Sequence, residues 1–401
     1  MNNLRYPHFH NISVLSLNFW GLPSFLATDK ELRLDALGDY LGERNYDVVC
    51  IQEMWCESDF ITLEAACRHK LPFSHYFSSG VLGSGLCILS RWPILNTYFM
   101  QFSLNGYIHM IHHGDWFGGK GIALAQARIK NMIVNIYNTH LIADYTDYDY
   151  LAHRVIQALD AAQFLDFTSK NVDFSILCGD LNSSPSNVCT RLIKRLSRFE
   201  DAIHAENNHG FEAFGTNATF VNSYSSQEDI DLVSFGTRID YILYKCRNNY
   251  RTRVTEYDLP LLARIPFVNK SYSDHEAVGA NFLVYLREDA DEISIYDEDN
   301  EIIAARLTSA IVRTLKEAYD ICKYEKRNLK YLTTLALQLS FFLFLFILLS
   351  FMFSYPLAIS YIILLFLVYL LYLAFILYYI EINAITNAIR RIVVLANNIY
   401  N

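Results

Sequence analysis

Apolar residues follow two rhythms along this chain, and the change between them divides it. Through residues 11–284 the apolar runs are short, alternating or continuous over five to nine positions, and bounded by Gly, Pro, Asn and Asp. That is the pattern of strands separated by turns. ISVLSLNFW, YDVVCIQEMW, GLCILSRWPI, ALAQARI, MIVNIYNTHL, FSILCGDLN, IDYILY and AVGANFLV are the predicted strands. Lys30–Arg44 and Tyr150–Phe167 instead space apolar residues by three and four, which predicts helices. Strands and helices interleaved over this length predict one large α/β core.

The second rhythm begins near residue 302. Ile303, Leu307, Ile311, Leu315, Ala318 and Cys322 form one stripe of an amphipathic helix over 302–330, with Arg306, Arg313, Lys316 and Lys323 off it. This helix is expected either to pack as a stalk or to lie on anionic phospholipids. Tyr331–Ile380 then runs for 50 residues without Asp, Glu, Lys, Arg or His, too long for one membrane span and suited to two. Pro356 marks the break, predicting spans at 331–353 and 356–380 and a tail at 381–401. Lys326, Arg327 and Lys330 before the first span, and Arg390 and Arg391 after the second, predict that both ends face the cytosol. No basic, then apolar, leader opens the chain, so the expected location is an intracellular membrane. Between the two rhythms, residues 287–301 hold eight acids in fifteen positions, an acidic linker.

Charge narrows the function classes. A formal net charge of −9 argues against a nucleic-acid binder driven by electrostatics and leaves room only for a local basic groove. No Lys/Arg-rich stripe interleaved with stacking aromatics runs through 11–284, so no nucleic-acid partner is expected. The eight cysteines contain no CxxC pair and stand in apolar surroundings, which suits reduced core thiols rather than a disulfide frame or a zinc site.

The chemistry gathers at strand ends. Asn18, Glu53, His140, Asp180 with Asn182, Asp240 and Asp274–His275 each follow or open an apolar run. Such a set of hard oxygens and imidazoles fits Mg²⁺-assisted phosphoester hydrolysis, since Mg²⁺ takes one or two side-chain oxygens and leaves its other positions to water and phosphate. In that scheme Glu53 supplies the carboxylate and Asn18 a neutral oxygen. His275 is the general base, oriented by Asp240, and Asn182 donates to a phosphate oxygen.

Asn18, QE at 52–53, THL at 139–141, GDLN at 179–182, RIDY at 238–241 and SDH at 273–275 occur in the order of the endonuclease/exonuclease/phosphatase superfamily. The resemblance covers about residues 11–284. It implies a four-layered α/β sandwich of the DNase I-like kind, one Mg²⁺, His275 as base, and Asp180 and His140 against the phosphate, a metal or the leaving group. LNFWGLP at 17–23, HGDWFGGKG at 113–121, THLIADY at 139–145 and GDLNSSP at 179–185 further resemble the neutral sphingomyelinases, in particular those with a C-terminal membrane hairpin. The implied reaction is hydrolysis of a sphingophospholipid to ceramide and a phosphorylated headgroup by a catalytic region at 1–286. The alternatives are a membrane-tethered nuclease or inositol-phosphate phosphatase of the same fold, or an inactive lipid-binding scaffold.

One stretch resembles something else. Gly114–Lys120 spells G-x-x-x-x-G-K, but Gly121 stands where a P-loop needs Ser or Thr. A P-loop also opens a helix, whereas IALAQARI alternates like a strand. The expectation here is a mobile loop at the rim of a phospholipid site, with Lys120 meeting the substrate phosphate and Asp115 pairing with Lys120 in another position of the loop.

Overall fold

The computed structural model describes residues 9–23, 26–107, 110, 113–145, 150–204, 210, 214–233, 235–247, 249–286, 298–352 and 357–400. The acidic linker, apart from its last four residues, and the Ser354–Pro356 turn lie outside the described residues. Two units divide the chain, one of Met1–Tyr150 with Gln157–Ala304, the other of Leu151–Ile156 with Ala305–Asn401.

The first unit holds two six-stranded mixed sheets. One contains β1 (His10–Asn18), β2 (Val48–Gln52), β3 (Phe73–Phe77), β4 (Leu86–Ser90), β11 (Tyr250–Asp258) and β12 (Val278–Leu286), ordered β11-β12-β1-β2-β4-β3. The other contains β5 (Ile94–Gln101), β6 (Gly121–Ile129), β7 (Met132–His140), β8 (Phe174–Asp180), β9 (Glu200–Asp201) and β10 (Asp240–Cys246), ordered β5-β6-β7-β8-β10-β9. Helices α1 (Lys30–Glu43) and α2 (Glu57–Cys67) cover the first sheet. Helices α4 (Leu151–Thr168) and α5 (Val188–Ser197) belong to the second, and α3 (Asp115–Gly118) and α6 (Gln227–Leu232) are short turns of helix.

Period-two alternation sorts the strand residues between layers. Val48 and Cys50 of β2 and Leu86 and Ile88 of β4 point between the sheets, where they meet Ala123, Ala125, Phe174, Ile176 and Ile242. Their neighbours Val49, Ile51, Cys87 and Leu89 point outward onto Leu34, Leu37 and Leu41 of α1 and Phe60 and Leu63 of α2. On the far side Tyr137 of β7 reaches α4, its hydroxyl 2.7 Å from Thr168 Oγ1. The layers are therefore helix, sheet, sheet, helix, the sandwich predicted from the sequence. Every predicted strand and both predicted helices are present. The strands the hydrophobic pattern missed, β3, β5, β9 and β11, are the four edges of the two sheets. An edge strand has a neighbour on one side only and carries more exposed polar residues, which blurs the alternation; in β5, for example, no residue is buried.

The second unit is helical. Helix α7 (Glu298–Met352) runs unbroken for 55 residues, so the amphipathic 302–330 stretch and most of the 331–353 stretch form one helix. Leu315, Ala318, Cys322 and Leu329 are buried, while Arg306, Arg313, Lys316 and Lys323 are exposed. Helix α8 (Leu357–Tyr372) passes through a π-helical turn (Leu373–Leu377) into α9 (Tyr378–Tyr400), which continues through the predicted tail. Two helical stretches, Arg306–Leu349 and Ile359–Ile399, are long and apolar enough to cross a membrane. Phe341, Phe342, Ile362 and Phe375 are among the apolar side chains exposed along them.

A buried polar clamp joins the sheets. Asn138 of β7 donates to the carbonyls of Ile51 (2.8 Å) and Cys87 (3.0 Å) in the opposite sheet and accepts from Gln52 Nε2 at 2.7 Å. Removing one member leaves fully buried partners unsatisfied, so Asn138→Ala is expected to cost about 2–4 kcal/mol of stability. Denaturant unfolding followed by tryptophan fluorescence checks this, and Asn138→Ala with an unchanged midpoint contradicts the clamp.

Candidate active site

Strand register brings the predicted residues together. His140, Asp180 and Asp240 face one another across β7, β8 and β10, and Asn18 pairs with Gln52, one residue before Glu53. A backbone bridge from Asn217 fixes His275. These ends open on a cavity of about 380 Å³ lined by Glu53, Lys120, His140, Asp180, Asn182 and His275, with Asp115 and Asp274 also in its wall. Asn18 and Asp240 stand directly behind it.

Asn18 holds the centre. Its Nδ2 donates to Glu53 Oε1 (2.9 Å) and Asp180 Oδ2 (3.0 Å), tying carboxylates from the two sheets. Its Oδ1 accepts from the Trp20 backbone N–H at 3.0 Å, so the oxygen assigned to a metal in the sequence reading faces the backbone in this arrangement. Three residues here, Trp20 (φ 53°), Glu53 (φ 56°) and Asn182 (φ 44°), sit in the left-handed region that non-glycine residues rarely adopt. Such strain collects at functional sites and needs surrounding structure to hold it. Part of that hold is Gly21, whose N–H donates to the Glu53 carbonyl at 2.9 Å and where a Cβ would stand 2.4 Å from that oxygen. Asn182 donates its N–H to Asp180 Oδ1 and its Nδ2 to the Leu141 carbonyl, which leaves the second amide hydrogen for a ligand.

His275 Nδ1 lies 2.9 Å from Asp240 Oδ2, which leaves Nε2 for chemistry. Burial disfavours the imidazolium, yet the charge and hydrogen bond of Asp240, with Asp274 and Asp180 behind, raise the His275 pKa well above the ordinary range. Burial and then Asp240 push the Asp180 carboxyl up to about 7, against the pull of His275 and its own hydrogen bonds. Burial pushes Asp274 up to about 6, with His275 opposing and Glu53 adding. His140 moves the other way: burial, then the charges of Lys120 and His275, hold it well below the usual range and therefore neutral. Its Nδ1 has no hydrogen-bond partner among the described residues, and Asp144, four residues along the chain, is exposed. Asp180, Asp240 and His275 have ligating atoms within 4.8 Å of one another, a cluster able to hold a cation.

The glycine-rich stretch is not a P-loop, because β6 rather than a helix starts at Gly121. Nor is Lys120 loose. It is 3% exposed, with Nζ 2.7 Å from Asp115 Oδ1, 3.2 Å from His140 Nε2 and 3.1 Å from the Leu141 carbonyl. The pairing of Asp115 with Lys120, expected only in a second loop position, is the one observed. Gly119 makes it possible: at φ 55° a Cβ there would meet the Gly80 nitrogen at 2.5 Å.

Two residues that hold the site escaped the sequence reading. Tyr145 donates its hydroxyl to Asp115 Oδ2 at 2.5 Å, and its ring stacks on His113. Arg33 is fully buried under the 19–20 turn, donating to the carbonyls of Phe19 (2.6 Å) and Trp20 (3.0 Å). Its signal was present, since Arg33, Leu37 and Leu41 share one face of α1, where a charge is out of place unless it has a task.

Residues 15–275 match the endonuclease/exonuclease/phosphatase family. Sphingomyelin phosphodiesterase 2 of Mus musculus is 39% identical over 277 residues, 68% of this chain and 65% of the mouse protein. The inositol phosphosphingolipids phospholipase C of Schizosaccharomyces pombe is 31% identical over 291 residues, 67% of each chain. The chain thus spans about two-thirds of the length of these curated relatives. Among solved structures, sphingomyelinase C from Streptomyces griseocarneus superposes with a TM-score of 0.53 over 68% of this chain and 99% of that one, at 19% identity, a likeness of fold. A family match that reaches strands of both sheets and every strand-end residue of the cavity has one meaning: the chain belongs to the endonuclease/exonuclease/phosphatase family.

Proposed function

We propose that this protein is a membrane-anchored, Mg²⁺-dependent phosphodiesterase of the phospholipase C type, hydrolysing sphingomyelin or a related sphingophospholipid to ceramide and a phosphorylated headgroup. The observation that carries the reading is the cavity itself, where a base–carboxylate pair, a crowd of acids and one buried lysine meet beneath an apolar rim. Exposed Leu82 stands at that rim, with its exposed chain neighbour Val81 and, on α3, exposed Trp116. A rim of this kind suits a substrate taken from a bilayer. The relatives named above for sphingomyelin and inositol phosphosphingolipids support the same substrate class.

The donor set fits Mg²⁺. Glu53, Asp180, Asp240 and Asp274 crowd one end of the sandwich, where burial raises Asp180 and Asp274 and the like charges of Asp240 and Glu53 add to it. Such a surplus of hard oxygens is what a divalent cation neutralises. Glu53 is assigned as a ligand, with Asn18 beside it, which offers its own oxygen only by turning its amide over. When bound, Mg²⁺ supplies Lewis-acid stabilisation of the phosphate charge.

The chain's own groups do the rest. His275 takes a proton from the attacking water at Nε2, and Asp240 fixes the tautomer and steadies the imidazolium. Lys120 and the Asn182 amide face the phosphate oxygens as charge builds on them. Neutral His140 is an acceptor beside the Lys120 ammonium, and Asp180 and His140 are assigned to the phosphate, the metal or the leaving group. The catalytic region and the C-terminus are assigned to the cytosolic side of an intracellular membrane. The exposed basic residues of α7 are available there to anionic phospholipids.

Headgroup release from sphingomyelin, inositol phosphosphingolipid, phosphoinositide and DNA tests the reading. Glu53→Ala and His275→Ala are each expected to lose about 10²–10⁴-fold of the sphingolipid activity, with the fold and membrane localisation retained. Near-normal turnover in either variant, or preference for DNA, sinks the assignment.

Lys120→Ala is expected to lower kcat strongly, but it also deprives buried Asp115 of its ion pair. A Lys120→Met, Asp115→Asn double variant separates the two effects, recovering thermal stability without recovering kcat.

Because a base acts only when unprotonated, activity falls as pH drops through the His275 pKa. The raised value places this limb alkaline of an ordinary histidine. Asp240→Asn removes the charge that raises it, so the limb moves to lower pH while the plateau drops about 10²–10⁴-fold. A pH profile of kcat/KM with an unmoved limb contradicts the Asp240–His275 assignment.

A further inference from the structure

Strands β8 and β10 each have a second end. Asp180 pairs with Asp240 at the catalytic cavity, and six residues away Phe174 pairs with Cys246. At the rise of a strand this places the far end about 20 Å from the carboxylates. A second cavity opens there, of about 580 Å³, lined by Lys170, Arg198, Lys245 and Arg247 with Asp166 and Ser169. Four cations against one carboxylate leave a surplus of three positive charges, in a chain whose net charge is −9.

The cations are not there to satisfy one another. Asp166 is engaged with Lys170 at 3.0 Å. Arg198 and Arg247 are exposed, and among the described residues no ion pair joins either to a carboxylate. Half-buried Lys245 rests on neutral acceptors, Ser169 Oγ at 3.1 Å and the Ser197 carbonyl at 2.8 Å. Burial lowers its pKa and the charges of Arg198 and Lys170 add to that, against Asp166.

Arg198 also occupies its position at a conformational cost. It caps the C-terminus of α5 at φ 59°, ψ 38°, the left-handed conformation in which helices favour glycine. A guanidinium that accepts strain, faces the same concavity as three other cations and forms no ion pair with an acid among the described residues is arranged for an anion supplied from outside. Two planar forks and two ammonium groups match a tetrahedral oxyanion with more than one negative charge better than a single carboxylate.

We infer that this distal cavity binds a multiply charged phosphate group, carried either by a soluble phosphorylated compound or by the headgroup of an anionic lipid. The inference is independent of the catalytic reading, because no residue is shared between the two cavities.

The full chain in detergent micelles is titrated calorimetrically with sodium pyrophosphate and, separately, with micelles doped with phosphatidic acid against phosphatidylcholine alone. Wild type is compared with Arg198→Gly, Arg247→Gln and the double variant. Arg198→Gly relieves the left-handed strain, so its Tm is expected to equal or exceed that of wild type, which excludes unfolding as a cause of lost binding. Binding that weakens at least tenfold in the double variant supports the site. Pyrophosphate response identifies a soluble ligand, and response to phosphatidic acid alone identifies a lipid. Wild type that binds neither probe, a double variant that binds as wild type does, or binding lost in Lys120→Ala instead, overturns it.

Discussion

The architecture turns on one amide. Asn18 Nδ2 stands between Glu53 Oε1 and Asp180 Oδ2, two carboxylates that belong to different sheets and would otherwise repel across the seam. Buried like charges are tolerable only with donors between them. The sandwich supplies these in sequence, with Asn18 between the first pair, His275 against Asp240, and Lys120 against Asp115. Beneath them the Asn138–Gln52 clamp fixes the spacing of the sheets on which these donors depend. The strained backbone at Trp20, Glu53 and Asn182 follows from the same demand, since each turn must bring a polar group inward where a relaxed turn would face water.

What could be read from the sequence, and what could not, follows from where each residue stands in this arrangement. A polar residue ending an apolar run is visible in one dimension, which is why Asn18, Glu53, His140, Asp180, Asp240 and His275 stood out. The layers were legible for a related reason, because inner strands are buried on both faces and carry their pattern strongly. The edges β3, β5, β9 and β11 are half-solvated and carry it weakly. Partners, by contrast, are set by tertiary approach. Nothing in the spacing of Asp115, Lys120 and Tyr145 announces that all three close on one another, and a glycine-rich stretch reads as mobile until Gly80 and Gly119 are seen back to back. The direction of an amide is likewise invisible, so Asn18 was legible as a site residue but not as the donor it is here.

Net charge is an average over the chain, and it left room for a local basic groove. A total of −9 is a sound argument against a broad cationic face. It says nothing about a single cleft, because acids gathered in 287–301 and around the catalytic cavity leave cations elsewhere uncompensated. Both cavities are thus products of one segregation of charge along β8 and β10. The acids collect at one end of these strands, where on the proposed reading a cation helps the substrate phosphate to approach. The bases collect at the other, where a phosphate needs none. On the two proposals together, a strand pair with opposite fields at its two ends carries two anion-handling sites on one ladder, and the ends differ in whether the protein or a metal supplies the positive charge.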